Sequence, residues 1–213
     1  EFLFLRRAED PNVLGLIVMT LGFQMVLFGA AGWIWGGQDK GFPHPISDTK
    51  VYHIAGTAVT ELNIVIISVT FLLVLLLFAF FRYTKTGVSM KATQQNPIAA
   101  RLMGIRSKRV MPMTWALSSI LGAIAGVLLV PITILRITMM MEPLLKAFAA
   151  AVLGGMTSLP GAAVGGIILG VVENLVGGYI SIEFKSVVAF LMIILVLCIR
   201  PSGLLSRHYV KKV

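Results

Sequence analysis

The sequence predicts an all-α, polytopic helical membrane protein, and three features lead there. Val13–Trp35, Leu62–Phe81 and Met113–Leu135 each run for about 20 residues without a charged side chain, the length a helix needs to cross roughly 30 Å of hydrocarbon. The chain is 57% hydrophobic and 13% charged, with a mean hydropathy of +0.92, which is more apolar than a soluble domain requires. Its basic residues gather between the apolar runs, so the net charge of +9 carries membrane topology rather than affinity for nucleic acid.

The first span follows Arg6 and Arg7, which belong inside, and ends on Trp33 and Trp35, aromatics suited to the headgroup level. Because the chain begins at Glu1 and enters a span almost at once, it reads as an N-terminally truncated fragment with no recognisable cleavable signal. Residues 36–61 balance Lys40 and Lys50 against Asp39, Asp48 and Glu61 and are expected to face outward. Within them Phe42–Pro45 and the alternating Val51, His53 and Ala55 suggest a short extended or interfacial segment, not another span. His44 and His53 lack a third ligand at useful spacing, so no metal site is expected.

The second span returns the chain inward, with Arg82 and Tyr83 at its end. The loop 82–112 holds Arg82, Lys85, Lys91, Arg101, Arg106, Lys108 and Arg109 without an acidic residue, which makes it cytoplasmic. Inside it, Thr86–Val110 reads TGVSMKATQQNPIAARLMGIRSKRV. Pro97 suits the first turn of a short helix there, and Ala92, Ala99, Ala100, Leu102, Met103 and Ile105 offer a small apolar surface beside the cations. The third span carries Ser118, Ser119, Gly122, Ala123, Ala125 and Gly126, a small-residue face expected to pack against another helix.

The stretch 147–177 is too short for two full spans and is broken by Gly154, Gly155, Pro160, Gly161, Gly165 and Gly166. A single crossing would deliver Arg200, Arg207, Lys211 and Lys212 to the outside, so a re-entrant pair of half-helices is expected: Leu144–Met156 in, Ala162–Gly177 out. The final apolar run, Ser186–Ile199, then brings the chain inward as the fourth full span, although it is short for a crossing. All of 1–213 is thus one transmembrane domain, with 36–61 outside and 82–112 inside.

Little here supports covalent chemistry. No Gly-x-x-x-x-Gly-Lys-Ser/Thr loop is present, nor a Ser/His/Asp arrangement or a paired-carboxylate motif, and Cys198 stands alone in an apolar run. Most of the glycines suit close helix packing. Gly154, Gly155, Ser158 and Gly161 lie where a half-helix breaks, and broken helices at membrane depth expose backbone groups to a zwitterionic solute, so these four are the candidate pore or gate residues. Glu173 is the acidic residue of an apolar helical run and needs a partner or water; Asn174 beside it suits a hydrogen bond across helices. Arg136, Glu142 and Lys146 suggest an outer interfacial cluster.

Thr86–Val110 followed by a Gly/Ala-rich span resembles the ATPase-facing loop of branched-chain amino acid ABC permeases. Lys146–Tyr179, KAFAAAVLGGMTSLPGAAVGGIILGVVENLVGGY, resembles the glycine-rich signature of that family, and Arg200–Leu205, RPSGLL, matches its usual ending. The resemblance covers nearly the whole chain. It implies a bacterial inner-membrane permease subunit paired with a related permease, two cytoplasmic ATPases that hold the ATP–Mg, and an extracytoplasmic solute-binding protein, with no cofactor in this chain. It also implies that Ala92, Asn96, Ala99, Ala100, Leu102, Gly104 and Ile105 form a coupling helix seated in an ATPase groove. Leucine, isoleucine and valine are the expected solutes. Related permeases handle urea or short amides, and an ion-coupled secondary transporter or an integral-membrane enzyme using Glu173 or the histidines are the rival classes.

Overall fold

Residues 13–42, 50–54, 57–200 and 203–204 are described by the computed structural model, and they form eight α-helices and one two-stranded sheet. In chain order these are α1 (Val13–Trp35), β1 (Val51–Ile54), β2 (Thr57–Thr60), α2 (Glu61–Tyr83), α3 (Lys85–Gln95), α4 (Pro97–Leu102), α5 (Ser107–Leu129), α6 (Met141–Gly154), α7 (Leu159–Tyr179) and α8 (Phe184–Ile199). Among the described residues, four helices are long and apolar enough to cross a membrane: α1, α2, α5 and α7. The protein is a polytopic helical membrane protein, as its charge-free runs predict. It groups into two units, Glu1–Ser68 with Ala79–Met139, and Val69–Phe78 with Met140–Val213.

In the first unit, α1 ends at Trp35, and the chain beyond it is pinned to the segment after α5. Lys40 N–H donates to the Leu135 carbonyl at 3.0 Å, and Arg136 pairs with Asp39 at 3.2 Å. The alternation around His53 becomes a β-hairpin in which Val51 faces Thr60 and His53 faces Ala58. That agrees with the expected extended segment. His44, Pro43, Pro45 and Ala55 lie outside the described residues, as do Arg6, Arg7, Arg207, Lys211 and Lys212.

A single residue, Thr84, separates α2 from α3. Its hydroxyl donates to the Phe80 carbonyl at 2.6 Å and accepts the Gly87 N–H at 3.0 Å, which caps one helix end and starts the next. Gly87 makes the corner tight, since a Cβ there would run into the Phe80 carbonyl oxygen and the Phe81 Cα. Lys91 reaches back over the Phe81 ring, 5.8 Å from its centroid.

The third apolar run differs from expectation at both ends. Helix α5 starts at Ser107, inside the basic loop, and stops at Leu129 instead of Leu135. Pro131 explains the stop: it has no N–H to continue the ladder, and its ring clashes with the preceding turn. On the small-residue face Gly122 is exposed and Gly126 is buried. Gly122 meets nothing within 4 Å, and a Cβ on Gly126 would meet only the Met139 side chain, at 3.7 Å.

In the second unit, α6, α7 and α8 pack on one another. Ala149 and Ala150 of α6, Leu169 of α7 and Ala189 of α8 form one buried cluster; Val152 and Leu153 of α6 with Val196 of α8 form a second. Ascending α6 positions meet ascending α8 positions, so those two helices run parallel, with α7 antiparallel to α6 and packed on both. The expected half-helix lengths fit α6, at 14 residues, but α7 extends to 21 residues, about 31 Å at 1.5 Å per residue. The fourth long helix is therefore α7. The final run expected as a full span gives a 16-residue helix of about 24 Å.

Candidate functional site

Three groups of candidate residues can be located: the short helix α4 in the first unit, and the α6–α7 turn and the polar pair of α7 in the second. Helix α4 is only 6 residues long, too short to stand by propensity alone, and it is fixed at both ends. At its start the Asn96 side chain accepts the N–H groups of Ile98 at 3.1 Å and Ala99 at 3.0 Å, with Pro97 in the first helical position. At its end Gly104 takes φ +81°, its N–H donates to the Arg101 carbonyl, and Ile105 N–H donates to the Ala100 carbonyl, each at 3.0 Å. Those two bonds form a Schellman motif, for which a left-handed glycine is the fitting residue.

This anchoring sorts the coupling candidates by exposure. Leu102 is 84% exposed and Ala99 is exposed, but Ala100 is 4% exposed and packs into the protein's own α3–α4–α5 corner. Ala92 sits half-buried on α3, not α4, and Ile105 is half-buried beyond the cap. Asn96 and Gly104 shape the helix by its ends. The sequence reading missed Ile98, 71% exposed, which lies one turn before Leu102 on the same face; Met103, 83% exposed, extends the patch. The i, i+4 spacing of Ile98 and Leu102 after a helix-starting proline was the available signal.

The four pore or gate candidates converge on one turn. Gly155 ends α6 with φ +100°, and Ser158 begins α7, its hydroxyl accepting the Gly161 N–H at 3.1 Å. A Cβ on Gly154 would overlap the Gly161 carbonyl, and a Cβ on Gly161 would overlap that of Gly154, so the two helices touch backbone to backbone. Gly165 repeats this one turn later against the Ala150 carbonyl. Gly154, Gly155 and Gly161 are buried, so the turn is close-packed.

Glu173 is 8% exposed, and its Oε2 pairs with Lys146 Nζ of α6 at 3.1 Å. Lys146 also pairs with Glu142 one turn earlier, at 3.0 Å. Two carboxylates thus share one ammonium. The expected cluster of Arg136, Glu142 and Lys146 divides, since Arg136 pairs with Asp39 instead. Asn174 makes the expected bond across helices: its Oδ1 accepts Lys185 Nζ of α8 at 3.4 Å, while its Nδ2 donates to the Gly170 carbonyl at 2.9 Å. Gly177 supplies the groove for this lysine, because a Cβ there would meet the Lys185 stem.

The family model for branched-chain amino acid transport system permease components matches residues 1–197. The chain belongs to this family. It is 42% identical over 98% of its length to the high-affinity branched-chain amino acid transport system permease protein LivH of Salmonella typhimurium, covering 69% of that protein. It is 32% identical, over the same shares, to the high-affinity branched-chain amino acid transport system permease protein BraD of Pseudomonas aeruginosa. A more distant relative is the fructose import permease protein FruF of Bifidobacterium longum, 26% identical over 62% of this chain and 39% of that protein. No solved structure matches.

The glycines of the hairpin bring α6 and α7 into backbone contact. The α4 end caps hold an apolar patch out from the surface. Among the described residues, no three His, Cys, Asp or Glu side chains sit together as metal ligands would.

Proposed function

We propose that this permease forms part of the translocation path of an ATP-driven importer for leucine, isoleucine and valine in a bacterial inner membrane. It works by alternating access and performs no covalent catalysis. ATP–Mg is bound and hydrolysed on two cytoplasmic ATPase subunits, a related permease completes the path, and an extracytoplasmic binding protein delivers the solute. The names of relatives identical at 42% and 32% support the substrate class.

The observation that carries the coupling role is α4. A six-residue helix held by Asn96 at one end and Gly104 at the other presents Ile98, Leu102 and Met103 to the outside, within a segment that has cations and no carboxylate. An apolar patch of that shape suits a groove on a partner, and the positive-inside bias puts it on the cytoplasmic side. Closure of the ATPases on nucleotide would then pull on α4 and, through α3 and α5, on the spans.

The test is uptake of labelled leucine by proteoliposomes holding the full complex, with and without internal ATP. ATP-dependent accumulation is the expected result. ATP-dependent uptake of urea or an amide alone would keep the importer and replace the solute. Uptake that ignores ATP and follows an ion gradient would make the protein a secondary transporter.

A further inference from the structure

The carbonyls in the last turn of a helix have no donor within it. At the end of α6 one of them, on Leu153, is satisfied from a distant part of the chain: Leu204 N–H donates to it at 2.9 Å. The chain reaches this point by turning back after α8, where Arg200 N–H donates to the Val196 carbonyl at 2.7 Å and Gly203 N–H to the Arg200 carbonyl at 2.9 Å. Gly203 is buried with φ +83° and lies directly on Gly155, which itself has φ +100°; a Cβ on Gly203 would overlap the Gly155 Cα. Neither position tolerates a side chain, one for its backbone angle and the other for both angle and space.

The contact adds to an apolar one beneath it. Leu153, 1% exposed, packs in a cluster with Val196 of α8. The end of α6 is therefore joined to the end of α8 by a buried side-chain cluster and by a backbone hydrogen bond. Gly154 and Gly161 join the same end of α6 to the start of α7.

We propose that Gly203 and Leu204 are positioning residues for transport: they clamp the end of α8 onto the α6–α7 turn, so that the three helices move as one body in the transport cycle. The clamp acts through main-chain atoms, namely the Leu204 N–H and the bare Cα of Gly203. The Leu204 side chain, 43% exposed, is not needed for it. This inference rests on the importer reading, since it concerns how nucleotide-driven movement becomes solute movement.

The test uses the complete reconstituted complex and measures solute uptake per ATP hydrolysed, together with thermal melting. Gly203→Val, which fills the contact, and Leu204→Pro, which removes the donor, are expected to lower uptake per ATP at least tenfold while ATP hydrolysis continues. Leu204→Ala keeps the N–H and is expected to retain coupling. Uptake per ATP within twofold of wild type in Leu204→Pro overturns the proposal. Where both variants fail to assemble, amide exchange in the wild-type complex decides. Protection of Leu204 that matches Leu153–Gly155 in both nucleotide-bound and nucleotide-free states supports the clamp, and exchange at an unstructured rate in either state overturns it. A complex that imports some solute other than leucine sinks the substrate reading, and the clamp is then judged on that solute.

Discussion

The main chains of Gly154 and Gly161 meet directly, each occupying the space that a Cβ on the other would need. Alanine at either position must push α6 and α7 apart and disturb the Ala150–Gly165 contact one turn away. Gly154→Ala and Gly161→Ala are each expected to destabilise the permease by about 1–3 kcal/mol. Gly170→Ala is the control: nothing lies within 4 Å of its added Cβ, so it should be neutral or stabilise by up to about 1 kcal/mol through helix propensity. Melting curves in detergent would separate them, and equal shifts for Gly154 and Gly170 would count against the backbone contact.

Exposure predicts different outcomes for neighbouring residues of α4. Ile98→Asp and Leu102→Asp, at 71% and 84% exposure, should leave the fold intact and reduce co-purified ATPase at least tenfold. Ala100→Asp, at 4% exposure, should instead lower the melting temperature, because a buried carboxylate without a partner costs a few kcal/mol. Pull-down and melting measured on the same preparations would show whether docking and folding divide along this line.

The ends of α4 should matter more than its length suggests. Asn96→Ala removes the acceptor for two N–H groups and should cost about 1 kcal/mol; Gly104→Ala forces a side chain into φ +81° and should cost about 1–2 kcal/mol. Amide exchange at Ile98 and Ala99 reads the first and exchange at Ile105 the second. Unchanged protection in both variants would mean that packing on α3 and α5, not the caps, holds the helix.

Glu173 and Lys146 form a coupled pair. Lys146→Met leaves a carboxylate with 8% exposure and no cation, and should destabilise by about 2–3 kcal/mol, less than for a fully buried pair because the Lys146 side chain is 30% exposed. Lys146→Met with Glu173→Met should recover most of that loss. A thermodynamic cycle on melting data with no coupling energy would remove the pair from the account of stability.

The membrane class, the extended segment between α1 and α2 and the glycine-rich hairpin were legible in the sequence, because span length and turn chemistry are local signals. What could not be read is what depends on partners brought together by the fold. Nothing near Lys146 in sequence distinguishes Glu173 from Arg136 as part of its cluster. Ala99 and Ala100 look equivalent in sequence, and only the packing of α3, α4 and α5 turns one outward and the other inward. The contact of Gly203 with Gly155 joins residues far apart in the chain, and neither glycine announces the other. The length of α7 was underestimated because Pro160 and Gly161 read as part of the turn, whereas a proline suits the first turn of a helix and a packed glycine admits a neighbour without ending the ladder.

The joints of the loop 82–112 have a mechanical meaning. Thr84 is the whole connection between α2 and α3, and Asn96 the whole connection between α3 and α4; each is locked by its own side-chain hydrogen bonds, and Gly87 closes the first corner onto the end of α2. Under the proposed coupling role, a push on α4 would reach the end of α2 as torque, with α3 as the crank.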